Sequence, residues 1–110
     1  MNAPAAAVLR DLARRQIQRA LSHRARYRYV RPRVESEGPG WKVVSPNCSR
    51  RVDPGGGEIP IAWFKPDGEG GWLLFARDHQ RACWELRARS LRLAEVVKRV
   101  LDDPAREFWQ

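Results

Sequence analysis

A chain of 110 residues lies in the range of one domain with one modest hydrophobic core, so a single domain over residues 1–110 is expected, with 1–4 as a candidate disordered start. No basic segment leads into an apolar run of about 7 to 15 residues and no apolar stretch approaches about 20, which argues against a signal peptide or membrane partner and for the cytoplasm. Two cysteines and two distant histidines make neither a disulfide framework nor a metal-ligand spacing, no cofactor is implied, and a formal charge of +8 directs attention to polyanions.

The charge is not spread along the chain. Residues 1–34 hold nine arginines against one acid, Asp11, whereas residues 35–110 hold twelve basic and twelve acidic residues. Any polyanionic partner, RNA or DNA being the commonest, should therefore meet the N-terminal third. The competing reading is an arginine-biased surface in which arginine stands at ordinary exposed positions, since only three lysines occur.

Ala5 to about His23 follows a helical period, with Pro4 suited to an early helical position. Leu9, Leu12, Ala13, Ile17 and Ala20 share one face with Leu21 at its margin, and Arg14, Arg15 and Arg19 lie on the other. From Tyr27 to Val34 the period changes to two, which predicts a first strand that ends near Arg31 or lies at an edge because Pro32 has no amide donor. Tyrosines interleaved with Arg26, Arg28 and Arg31 suit stacking and phosphate contact, and equally suit tyrosines over a core edge with arginines in water.

Glu35–Gly40 reads as a turn, and Trp41–Ser45 as the second strand of a hairpin. Ser45–Gly57 is the longest irregular segment and carries the most functional-looking chemistry. Asn47 and Ser49 can bond to neighbouring backbone, Arg50 and Arg51 can contact anions, and Cys48 is either a small residue pinning the loop or a thiolate activated by those arginines. Its glycines match neither the P-loop nor the dinucleotide pattern.

Glu58–Phe64 is the most strand-like piece, with Ile59, Ile61 and Trp63 expected on one face and Pro60, Ala62 and Phe64 on the other. Apolar residues on both faces suggest a central strand, or one whose second face meets a partner chain; Pro60 fits that only at a bulge or at the strand's start. After the turn at Lys65–Gly71, Trp72–Arg77 and Ala82–Arg87 form two further strands joined at Asp78–Arg81. Asp78 and His79 are an acid-imidazole pair, but neighbours on a tight turn seldom converge on one substrate atom.

Ser90 is a plausible N-cap for a second helix in which Leu93, Val96, Val97, Val100 and Leu101 repeat at three and four, with Glu95 and Arg99 as an i,i+4 pair. Asp102-Asp103-Pro104 should end it, with Asp103 capping one more turn toward Phe108 and Trp109. That aromatic pair either pins the tail to the body or forms a dimer contact. The general look of the chain, including Ser45–Pro54 and the terminal Phe-Trp, resembles small bacterial proteins to which no activity is attached, so the resemblance implies no function.

The expected fold is α+β: an N-terminal helix, a five-stranded antiparallel meander sheet and a C-terminal helix, both helices on one face. The expected function is non-catalytic binding of RNA or DNA through Arg14, Arg15, Arg19, Arg26, Arg28, Arg31, Arg50 and Arg51. The alternative is a protein-interaction or homodimer module using Trp63, Phe64, Phe108 and Trp109. An enzyme centred on Cys48 or His79 comes third.

Overall fold

The computed structural model describes residues 3–23, 31–46 and 57–109, with side chains from Ala7 onward. Helix α1 (Ala3–Leu21) leads into strands β1 (Arg33–Glu37), β2 (Gly40–Pro46), β3 (Glu58–Pro66), β4 (Trp72–Asp78) and β5 (Cys83–Ser90), and helix α2 (Leu93–Asp102) follows. Among the described residues the strands form one antiparallel sheet in the order β1-β2-β3-β4-β5. Short connections between β1 and β2, β3 and β4, and β4 and β5 favour that order, because antiparallel neighbours can be joined directly where parallel ones need a crossover. Both helices pack on the same face: α1 over β1, α2 over β4 and β5, each touching the other.

The layer between helices and sheet is the core. Ala13, Ile17 and Leu21 of α1 and Leu93, Val96, Val97 and Val100 of α2 close over Val43, Phe64, Leu74 and Ala76. The apolar stripe of α1 is turned relative to the expected one: Leu9 and Leu12 are 53% and 52% exposed, and Arg10 takes their place beside the sheet. The Trp41 indole N–H donates to the Arg10 carbonyl at 3.0 Å, while the Arg10 guanidinium lies 3.9 Å over the Trp41 ring and donates to Ser36 Oγ and to the Gly40 carbonyl. The ring-stacked ion and its hydrogen bonds tie the helix to the first hairpin at the place where the leucine stripe was expected.

Helix α1 begins at Ala3, with Pro4 in its first turn as expected. Among the described residues the first strand is Arg33–Glu37, at the sheet's edge; residues 24–30, and with them half of the strand expected over Tyr27–Val34, lie outside the described residues. The turn shrinks to Gly38-Pro39, with Glu37 paired to Gly40 and positive φ (+54°) at Gly38. Positive φ at the first residue of a two-residue loop matches strand twist. Gly40 must be glycine for a different reason, since a Cβ there would stand 2.0 Å from the Phe64 carbonyl oxygen.

Two β-bulges set the faces. Val43 pairs with Ala62 but Val44 with Pro60, so Ile61 is the extra residue of β3. Ile61 and Ala62 are therefore both buried in the core, and Trp63 falls on the opposite face from Phe64, separated from the Ile59–Ile61 face expected for it. Pro60 stands beside this bulge and outside the β4 ladder, which begins at Ala62, so β3 is central despite its proline. In β5, Leu74 pairs with Ala88 and Phe75 with Leu86, which leaves Arg87 as the extra residue.

The ends of α2 are held by side chains outside it. Arg92 occupies the N-cap without a capping bond; Ser90, two residues earlier, accepts the Arg92 N–H at 3.1 Å and donates to the Glu95 carboxylate at 2.5 Å. Glu95 is thus engaged by Ser90, and Arg99 pairs with Glu107 at 3.2 Å. At the other end Asp103 turns left-handed (φ 37°) and its buried carboxylate accepts the backbone N–H of Glu107 at 2.7 Å, of Phe108 at 3.2 Å and of Trp109 at 2.8 Å. Phe108 and Trp109 are 1% and 5% exposed, and the Trp109 indole donates to the Val100 carbonyl at 2.9 Å. Replacing Asp103 with alanine strands buried amides and should lower unfolding free energy by about 3 kcal/mol in urea titrations, with loss of near-UV signal from Trp109.

Candidate nucleic-acid interface

Among the described residues, exposed cations stand on the outer side of α1, and aromatic rings with cations beside them on the sheet face left open by the helices. On α1, Arg14, Arg15 and Arg19 are exposed. Arg15 pairs with Asp11 at 3.2 Å across one turn, whereas Arg14 and Arg19 meet no carboxylate among the described residues. Arg31 is also exposed, just before β1. Arg26, Arg28, Arg50 and Arg51 lie outside the described residues, as do Asn47, Cys48 and Ser49 of the long loop.

Other members of the N-terminal arginine set are occupied inside the fold. Arg10 is the α1–sheet anchor, and Arg33 bridges Glu35 at 3.0 Å and Glu58 at 2.7 Å across the open face of the sheet. Of the residues named as an interface, Phe64, Phe108 and Trp109 are core, and Trp63 alone reaches the open face.

Trp63 has company there. Its ring centroid is 4.9 Å from that of Phe75 on β4 and 5.8 Å from that of Trp84 on β5, and all three rings are half-buried. The Trp63 indole donates to the Glu37 carbonyl at 3.1 Å, which fixes the ring against the β1–β2 turn. Lys65 lies 5.5 Å above Trp63 and Arg77 5.1 Å above Trp84, neither with a carboxylate partner among the described residues. Leu86, 55% exposed, borders the cluster. Strict alternation puts Trp63 on the wrong face once a bulge intervenes, so the cluster is not legible as a group in the sequence; the placing of Phe75 and Arg77 on one side of β4 is its one local signal.

The catalytic candidates are less promising as a constellation. Burial lowers the pKa of His79, helped by the Arg77 cation and opposed by Asp78. Asp78 is held below the ordinary carboxylate range, first by the Arg81 amide it accepts; it also accepts the Gln80 amide, as a turn cap does. Ligand atoms of Asp78, Cys83 and Glu85 lie within 4.8 Å of one another, but Asp78 serves the turn and Glu85 pairs with Arg87 at 3.0 Å. No helix among the described residues is long and apolar enough to cross a membrane.

A family model described as a domain of unknown function, DUF3024, matches residues 4–110, which includes every described strand, all of α2 and all of α1 but Ala3. The chain belongs to that family. No curated protein and no solved structure matches it. The family thus spans the fold, and the reading of function rests on the surfaces themselves.

Two measurements check these electrostatics. Arg10→Ala should cost about 2 kcal/mol of stability in denaturant titration, because it removes a ring-stacked ion and a donor to the Gly40 carbonyl. The Asp67 carboxyl is lowered first by the Glu69 amide, then by the Gly71 amide and Arg89, against some desolvation. A carboxyl lowered by folding adds stability above its unfolded pKa and loses it as pH falls through the folded one. The urea midpoint should therefore fall below about pH 4, and Asp67→Asn should flatten part of that fall.

Proposed function

We propose that the protein binds nucleic acid without catalysis, as a polyanion, through the outer side of α1. The observation that supports this is the uneven fate of its arginines. Arg33, Arg87, Arg89 and Arg99 each meet a carboxylate within 3.2 Å, while Arg14, Arg19, Arg31, Arg92 and Arg106 stand exposed with none among the described residues, and the first three of these lie in the part of the chain that holds all the excess charge. Cations without internal partners keep their full field for phosphates, and release of phosphate counterions makes such binding strongly salt-dependent.

A protein-interaction reading draws on Trp63 and the open sheet face; Phe108 and Trp109, being buried, add nothing to it. Fluorescence anisotropy with unrelated RNA and DNA sequences separates the readings. Arg14→Gln, Arg15→Gln and Arg19→Gln together should weaken binding to all sequences alike and make the slope of log affinity against log salt shallower by about two to three, at roughly 0.9 for each phosphate no longer neutralised. Unchanged affinity and slope would overturn the proposal.

A further inference from the structure

The aromatic cluster of the open sheet face has no part in the core and none in the α1 surface, and its make-up is specific. Trp63, Phe75 and Trp84 come from three adjacent strands, half-buried, with centroids 4.9 and 5.8 Å apart. Strands hold side chains more stiffly than loops, and the bond from the Trp63 indole to the Glu37 carbonyl removes that ring's remaining freedom. The same bond consumes its donor, and Phe75 has none, so these two side chains offer ring surface rather than hydrogen-bond readout. Lys65 and Arg77 lie over the rings at 5.5 and 5.1 Å as long, flexible cations without a carboxylate partner among the described residues.

We infer that this face stacks the unpaired bases of single-stranded nucleic acid, while Lys65 and Arg77 swing from the rings to its phosphates. The inference rests on the polyanion reading above and names the form of nucleic acid. A duplex keeps its bases stacked within itself, so only a single strand can lay bases on these rings; stacking on aromatic side chains beside a basic groove is tolerant of sequence because every base has a π-face. The charge favours this occupant over a second copy of the chain. Protein interfaces are depleted in charge at their centres, and two copies meeting on this face would desolvate Lys65 and Arg77 over their rings, while the acids of the face, Glu35, Glu37 and Glu58, already pair with Arg33 and Lys42 of the same chain.

The test uses the full chain and two fluorescent probes, a single-stranded oligonucleotide of about a dozen residues and its duplex. Trp84 is the residue to change, because it lies on edge strand β5 and outside the core. Trp84→Ala should weaken single-strand binding about 5- to 100-fold and leave the duplex nearly unaffected, with Trp84→Phe close to wild type and single-strand addition quenching wild-type tryptophan fluorescence. Arg77→Gln, which spares the rings, should weaken the single strand modestly and leave the duplex nearly unaffected, and it guards against a folding defect in the alanine variant. Wild-type single-strand affinity in Trp84→Ala, with loss of binding on changing Arg14, Arg15 and Arg19, would overturn the stacking inference and leave the α1 reading standing. Failure of the wild-type protein to bind either probe would sink both. A concentration-dependent dimer in light scattering that Trp84→Ala abolishes would assign the face to a second copy instead and overturn the inference.

Discussion

One unpaired residue in the central strand decides what each face of this protein is. If β3 alternated strictly, Ile59, Ile61 and Trp63 would share a face; the extra residue at Ile61 sends Ile61 and Ala62 together into the core and leaves Trp63 on the other side. Phe64 then meets Leu74 under the helices, and Trp63 meets Phe75 in the open. The bulge also accommodates Pro60 in a central strand, because the proline falls where β4 has not yet begun to pair. Core closure and the aromatic cluster are thus two results of one local irregularity.

Arginine does two kinds of work here, and only the fold separates them. Arg10 stacks on Trp41 and ties α1 to the first hairpin, and Arg33 joins β1 to β3 through Glu58. Arg89 braces the β3–β4 turn through Asp67 and Glu69, and Glu107 draws Arg87 and Arg99 together at the chain's end. Exposed pairs of this kind contribute little each. Their importance lies in what they remove: a paired arginine has less field to offer a phosphate, so the net charge of the sequence overstates the field open to a polyanion, and Arg14, Arg19, Arg31, Arg92 and Arg106 are the exposed arginines that meet no carboxylate among the described residues.

The proposed surfaces sit on opposite sides of the sheet, since α1 covers one face and the aromatic cluster lies on the other. On that proposal the α1 arginines would act through charge at a distance, whatever the form of the polyanion, whereas the ring faces would act at contact and need an unpaired base. A ligand engaging both would pass around an edge of the sheet, which a flexible single strand can do and a stiff duplex cannot.

Much of the architecture was legible in the order of residues. Helical spacing at Ala13, Ile17 and Leu21 and at Leu93, Val96 and Val100, and glycine-rich turns between alternating segments, determine an α+β chain with a sequential meander, because local period and turn chemistry depend on near neighbours alone. The closing Asp103 cap was legible for the same reason, its partners lying within six residues. The rest depended on contacts across the chain. The rotation of α1 that exposes Leu9 and brings Arg10 to the sheet follows from Trp41, 31 residues away, and the face of Trp63 follows from a bulge visible only in its pairing with β2. Sequence alone therefore determined which elements form and how much charge they carry; tertiary structure decided which of the described arginines meet a carboxylate and which aromatics face water, because both are properties of pairing between strands and of packing between layers.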